Sequence, residues 1–154
     1  MAISPYIVSM RRRVGHELLL LPSVAVLPVD QAGRVLLVRH VDYGHWATIG
    51  GMVEVDESPE DSAVREAREE AGVELDSLQL LTAMGGPEFR GHYPNGDEVA
   101  YVSMVYRARV ASGEPVHDGE ETTDVGWFAP DAILGLDLGR LNQRLLTVAL
   151  PLLA

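Results

Sequence analysis

Glu66, Glu69 and Glu70 stand three and four residues apart in a stretch that reads as a helix, so their carboxylates crowd one side of it. Like charges at that spacing each cost about 0.2–0.5 kcal/mol on an exposed helix. Arg65 relieves part of the repulsion through an i,i+4 pair with Glu69, and Arg68 adds to it. A divalent cation would relieve far more, because hard cations such as Mg²⁺ take oxygen ligands and keep waters and substrate phosphates in their shell. The plainer alternative is a solvated acidic face. The helix that carries these residues is well marked. Ser58 suits the N-cap, Pro59 the first helical position, and Glu60 and Asp61 the positive helix start. Ala63, Val64, Ala67 and Ala71 repeat at core-facing spacing, and Gly72 stands where glycine ends helices.

A longer template decides between the two readings. Gly51 to Val73 reads GMVEVDESPEDSAVREAREEAGV. It resembles the Nudix box, G-x5-E-x7-R-E-U-x-E-E-x-G-U with U aliphatic. Gly51 opens the box and Glu57 follows. Arg65-Glu66, Glu69-Glu70 and Gly72 take the remaining fixed positions. At residue frequencies of roughly one in ten, such a match arises by chance about once in 10⁷ registers. Three features depart from the common pattern. Ala67 is small for an aliphatic position, Thr48-Ile49-Gly50-Gly51 lacks a preceding proline, and Val55-Asp56 replaces the usual Pro-Gly. All three bear on positioning rather than chemistry.

The resemblance implies the Nudix fold, an α/β/α sandwich with a mixed β-sheet between helices. It also implies hydrolysis of a nucleoside diphosphate linked to another group, with Mg²⁺ or Mn²⁺. By position, Glu66, Glu69 and Glu70 form the implied metal-ligand set, one of them serving as base, and the Gly51 carbonyl is a further ligand candidate. Glu57 and Arg65 support them, Arg65 by holding the glutamates in place rather than by binding substrate. Many relatives add a glutamate from a loop before a late strand. The matching region is Asp118-Gly119-Glu120-Glu121, where Glu121 is favoured and Glu120 is the alternative.

Outside the box the signals are weaker. Arg39 and Arg90 could reach phosphate, with His92 close to Arg90. Trp46, Phe89, Tyr93 and Trp127 could stack on a base, although core packing is the commoner fate of such residues. The extended motifs of NADH- and coenzyme A-cleaving relatives are not apparent. Pro87 lies about where ADP-ribose-cleaving relatives carry a proline. These features leave the substrate open among a (d)NTP, ADP-ribose and a sugar nucleotide.

The 154 residues predict a single domain over 1–154, able to bury roughly two thirds of its unfolded surface. The chain has no cysteine, which excludes disulfides, thiolate metal sites and a cysteine nucleophile. All twelve basic residues are arginine, so lysine chemistry is excluded and any phosphate clamp must be arginine. A net charge of −11 argues against a grip on a nucleic-acid duplex or an anionic membrane. Leu18 to Leu21 is too short for a signal core or a membrane span. A soluble, cytoplasmic protein is expected.

In chain order, Tyr6 to Arg12 and Glu17 to Leu21 read as the strands of an N-terminal ribbon over residues 5–21, a candidate homodimer contact. Arg11-Arg12-Arg13 reads as a solvated turn, or as a contact to phosphate or to a partner subunit. Strands follow at Ser23 to Val29, Arg34 to His40, Trp46 to Ile49, Leu78 to Met84, Val99 to Val110 and Thr123 to Phe128. Helices begin at Pro130 and Arg140. Two other function classes compete with the enzyme. A catalytically silent Nudix-fold nucleotide sensor would ordinarily have lost box glutamates, all of which stand here. An interaction module with no ligand would not match the template.

Overall fold

Alternation along β1 (Leu19–Pro28) sets the architecture. Successive strand side chains point to opposite faces. Val24 and Val26 enter one core with Ala63, Ala67 and Ala71 of helix α2 (Pro59–Ala71). Ala25 and Leu27 enter a second core with Leu145, Leu146 and Ala149 of helix α4 (Gly139–Ala149). Strand β2 (Val35–His40) divides its residues in the same way, Leu36 and Val38 toward α2 and Val35 and Leu37 toward α4. Each fully buried Val or Leu contributes about 1.5–3 kcal/mol, so the two strands hold both helices in place.

The computed structural model describes residues 3–154; the first two residues of the expected 1–154 domain lie outside it. The remaining elements are helix α1 (Pro5–Val14), strands β3 (Trp46–Ala47), β4 (Ile49–Met52), β5 (Glu74–Met84), β6 (Arg90–His92), β7 (Glu98–Ser112) and β8 (Thr122–Phe128), and the short helix α3 (Pro130–Ile133). The larger sheet runs β4-β1-β7-β5, with β6 also paired to β7. Its β1–β7 pair is parallel and its other pairs are antiparallel, so it is mixed, and α2 and α4 flank it as expected. A smaller antiparallel sheet, β3-β2-β8, lies beside it. Among the described residues no helix is long and apolar enough to cross a membrane.

The N-terminal ribbon expected over residues 5–21 does not form. Pro5 to Val14 is helical, with proline in its first turn, Arg11, Arg12 and Arg13 in its last turn against the negative helix end, and Gly15 as C-cap at φ +62°. Over so few residues, Tyr6, Ile7, Val8 and Met10 satisfy either period, and the end signals decide for helix. The strand expected at Glu17 to Leu21 is instead the start of β1, continuous with the one expected from Ser23. Pro22 is tolerated in mid-strand because the ladder to β4 begins only at Ser23.

Helix α2 is capped as its sequence predicts. Asp61 N–H donates to Ser58 Oγ at 3.1 Å and Ser58 N–H returns to Asp61 Oδ2 at 3.4 Å. Gly72 closes the helix in the left-handed region at φ +65°.

Candidate active site

The two glycines of β4 bring sheet and helix into contact. A β-carbon on Gly50 would collide with the Val24 carbonyl of β1. One on Gly51 would overlap the Glu66 carboxylate, 2.6 Å from its Cδ. The strand can therefore press its backbone against both β1 and α2 only where side chains are missing. The residues at the start of the box thus share one site with the glutamates fifteen to twenty positions later.

Arg65 is the hub of that site. Its Nε donates to Glu57 Oε1 at 2.7 Å and Nη2 to Glu57 Oε2 at 3.2 Å, a two-pronged pair. Nη1 donates to Glu66 Oε1 at 2.9 Å and to Glu69 Oε2 at 3.1 Å, and Nη2 also reaches the Met52 carbonyl at 3.1 Å. Ser62 Oγ–H donates to Glu57 Oε2 at 2.6 Å. Hydrogen bonds from Arg65 and Ser62 outweigh partial burial and hold the Glu57 carboxyl down at about 2. In return Glu57 keeps the Arg65 guanidinium firmly charged.

Glu66 and Glu70 face the opposite problem. Burial pushes Glu66 up to about 7 against the pull of Arg65, with the charges of Glu69 and Glu121 adding to the rise. Glu70 is 1% exposed, and burial followed by the Glu66 charge raises its carboxyl well above the usual range. A Gly50 N–H bond to Glu70 Oε2 at 3.1 Å offsets part of that. His40 Nε2 lies 3.5 Å from Glu70 Oε1. Burial lowers the imidazole's pKa and raises the carboxyl's, and both shifts disfavour the charged forms across this contact. Glu69, at the exposed edge, completes the set.

The loop before β8 closes the site. Asp118 Oδ1 accepts the N–H groups of Glu120, Glu121 and Thr122 at 2.9–3.0 Å and so folds the turn around itself. Thr122 Oγ–H donates to the Glu70 carbonyl at 2.8 Å, and Val41 N–H to the Glu121 carbonyl at 3.0 Å. Glu121 is half-buried, and its charge bears on Glu66, Glu70 and His40, whereas Glu120 is exposed. Of the two loop glutamates, Glu121 is the less exposed and the one whose charge bears on the box.

Among the described residues, none of the three residues expected from sequence to hold substrate makes a hydrogen bond or ion pair to a box carboxylate. Arg39 Nε braces the loop after β2 by donating to the Gly44 carbonyl at 2.7 Å. Trp46 packs edge-on against Phe128 with ring centroids 4.8 Å apart. Arg90 is exposed, and its carbonyl accepts a 2.9 Å bond from Arg140 Nη2. Two surface grooves stand out, about 430 Å³ between α1 and the turn at Asn95–Asp97 and about 290 Å³ beside Trp127. Neither is lined by a box residue, so charge rather than concavity marks the site.

Every candidate donor is oxygen: the carboxylates of Glu66, Glu69 and Glu70 and the carbonyl of Gly51, a set chemically suited to Mg²⁺ or Mn²⁺ rather than to softer metals. Among the described residues no three His, Asp or Glu side chains converge as a ready-made metal-binding group. Two of the carboxylates are turned to Arg65 instead. Sequence reasoning passed over His40, Ser4 and Glu54, and took Asp118 only as part of its loop. His40 reaches Glu70 because β2 packs on α2 through Leu36 and Val38, a tertiary contact that no spacing rule carries.

Comparison with known proteins follows the same lines. The NUDIX domain model matches residues 19–148. A MutT-like protein of Streptomyces ambofaciens is 34% identical over 111 residues, which are 72% of this chain and 65% of that protein. An NAD-capped RNA hydrolase, NudC, of Pseudomonas aeruginosa is 35% identical over 125 residues, 80% of this chain. The chain spans less than two thirds of either relative, 65% and 41% respectively. A MutT NUDIX hydrolase of Burkholderia pseudomallei superposes with a TM-score of 0.68 at 28% identity, covering 88% of this chain and 99% of that one. From β1 to the last turn of α4, with the box glutamates assembled around Arg65, the chain belongs to the NUDIX domain family.

Proposed function

We propose that the protein is a divalent-metal-dependent hydrolase of a phosphoric anhydride, acting on a nucleoside diphosphate linked to another group. The observation that carries this reading is the stacking of uncompensated acid. Glu66 and Glu70 are both buried, Glu69 stands beside them and the charge of Glu121 bears on them, while Arg65 is the only arginine bonded to the box glutamates among the described residues. A hard cation held by Glu66, Glu69, Glu70 and the Gly51 carbonyl would supply neutralisation of the diphosphate and activation of water.

The chain's own part is orientation and proton handling. Arg65 fixes Glu66 and Glu69 by their oxygens, and Glu57 fixes Arg65. Glu121, from the loop before β8, is the group proposed to take the proton of the attacking water. The name of the NAD-capped RNA hydrolase relative supports a nucleotide substrate, with (d)NTPs, ADP-ribose, sugar nucleotides and dinucleotides as the panel to test.

The test is product release over that panel with Mg²⁺ or Mn²⁺. Turnover that EDTA abolishes and Glu70→Gln removes is the expected result. Nucleotide binding without turnover on any member would overturn the enzyme reading.

A further inference from the structure

Ser4 stands at the N-cap of α1, where a serine ordinarily accepts a backbone N–H of the first turn, a bond worth about 1 kcal/mol. Its side chain makes no such bond. Buried at 8% exposure, its Oγ–H donates to Glu54 Oε2 at 2.6 Å, fifty residues away. A hydrogen bond to a carboxylate is stronger than a neutral one and outweighs the missing cap.

Glu54 opens the loop between β4 and α2. Its N–H donates to Glu57 Oε2 at 3.2 Å and its carbonyl accepts the Glu57 N–H at 3.2 Å. Glu57 is the carboxylate that clamps Arg65, which in turn holds Glu66 and Glu69. Between Glu54 and Glu57 the backbone passes through Asp56 at φ +68°, a left-handed conformation that a non-glycine residue keeps only when its surroundings enforce it.

The helix is itself well anchored away from this loop. Arg11 donates to the carbonyls of Glu17 and Glu98 at 2.6 and 2.8 Å and lies 3.4 Å from Asp97, while Ile7 packs on Leu21 and Val99. Helix α1 also precedes residue 19, where the match to the family begins.

We propose that Ser4 is a positioning residue for the carboxylate site: the firmly docked α1 holds Glu54, and through Glu57 and Arg65 sets the orientation of Glu66 and Glu69. The inference rests on the reading of those glutamates as metal ligands, and one of its two readouts is independent of metal.

The experiment compares the full chain with Ser4→Ala and Ser4→Thr. The first readout is the Arg65 Nε–H proton resonance, assigned by its loss in Arg65→Lys. The second is Mn²⁺ affinity by calorimetry, recorded with the melting temperature. Ser4→Ala should shift the resonance and speed its exchange with solvent. It should also weaken Mn²⁺ binding about threefold to tenfold, less than the 10–100-fold typical of a group bonded directly to a ligand. Ser4→Thr, which keeps the hydroxyl, should restore both. A Ser4→Ala protein that melts lower yet keeps the Arg65 resonance and Mn²⁺ affinity would overturn the proposal, leaving Ser4 as an anchor of the helix alone. If the unaltered protein binds no Mn²⁺, the metal reading fails by itself, and the Arg65 resonance still decides the role of Ser4.

Discussion

Gly51 lies against Glu66 with no room between them for a β-carbon. The contact joins the first residue of the box to a carboxylate near its middle, and the end of a flexible side chain is what would have to yield. Gly51→Ala should therefore displace Glu66 while leaving the fold intact. Turnover should fall about 100-fold, the cost of misplacing a catalytic group by about 1 Å. Steady-state kinetics beside a thermal melt checks this, and a variant that loses stability but not turnover would contradict it.

Glu70→Gln keeps the acceptor for the Gly50 N–H but takes away the carboxylate that a cation would draw on, at a site that is 1% exposed. Burial already favours the neutral form of this carboxyl, so an uncharged amide costs the metal-free fold little. The metal-free variant should melt no lower than the parent, while its turnover drops by at least about 100-fold, beyond the loss from a merely supporting group. Calorimetry and a turnover assay separate the two effects.

Asp56→Gly should stabilise the protein. Asp56 holds φ +68°, where glycine is unstrained and other residues incur roughly 1 kcal/mol. The gain, reduced by the greater freedom of glycine in the unfolded chain, should raise the melting temperature by up to about 4 °C in a chain of this size. A lower melting temperature would show that the Asp56 side chain contributes more than its backbone strain costs.

Acid should release the Glu57 clamp. Its folded-state value of about 2 lies below the ordinary 4.5, so its contribution is fully present above the unfolded value and is lost as pH falls through about 2. Urea unfolding of the parent and of Glu57→Gln should differ most above pH 5, and the curves should converge toward pH 2. A stability difference that is constant across this range would rule out the Arg65–Glu57 pair as its source.

The box was legible because its logic is local. Ser58, Pro59, Gly72 and the glutamate spacing all act within one helix, and the structure reproduces each of those signals. The N-terminal helix was misread because seven residues of mixed polarity fit either period. Pro5 and Gly15 at its two ends were the better guide. The pairing of β2 with β8, which brings His40 and Glu121 together, depends on contacts across some eighty residues and leaves no periodic trace. Arg39, Trp46 and Arg90 had only residue type to recommend them, and type alone does not say whether a tryptophan will meet a base or Phe128.

The parallel register of β1 with β7 joins Leu19 to Val99 and Pro28 to Ala108. Neither partner of the central sheet pair can form its ladder until the other has been made, and closing so long a loop is an entropic cost met before any contact rewards it. Refolding should therefore be limited by this pairing rather than by the box helix. On the ribosome, the alanine face of α2 can meet β1 and β4 early, but its core stays open until Tyr106 and Ala108 of β7 have emerged.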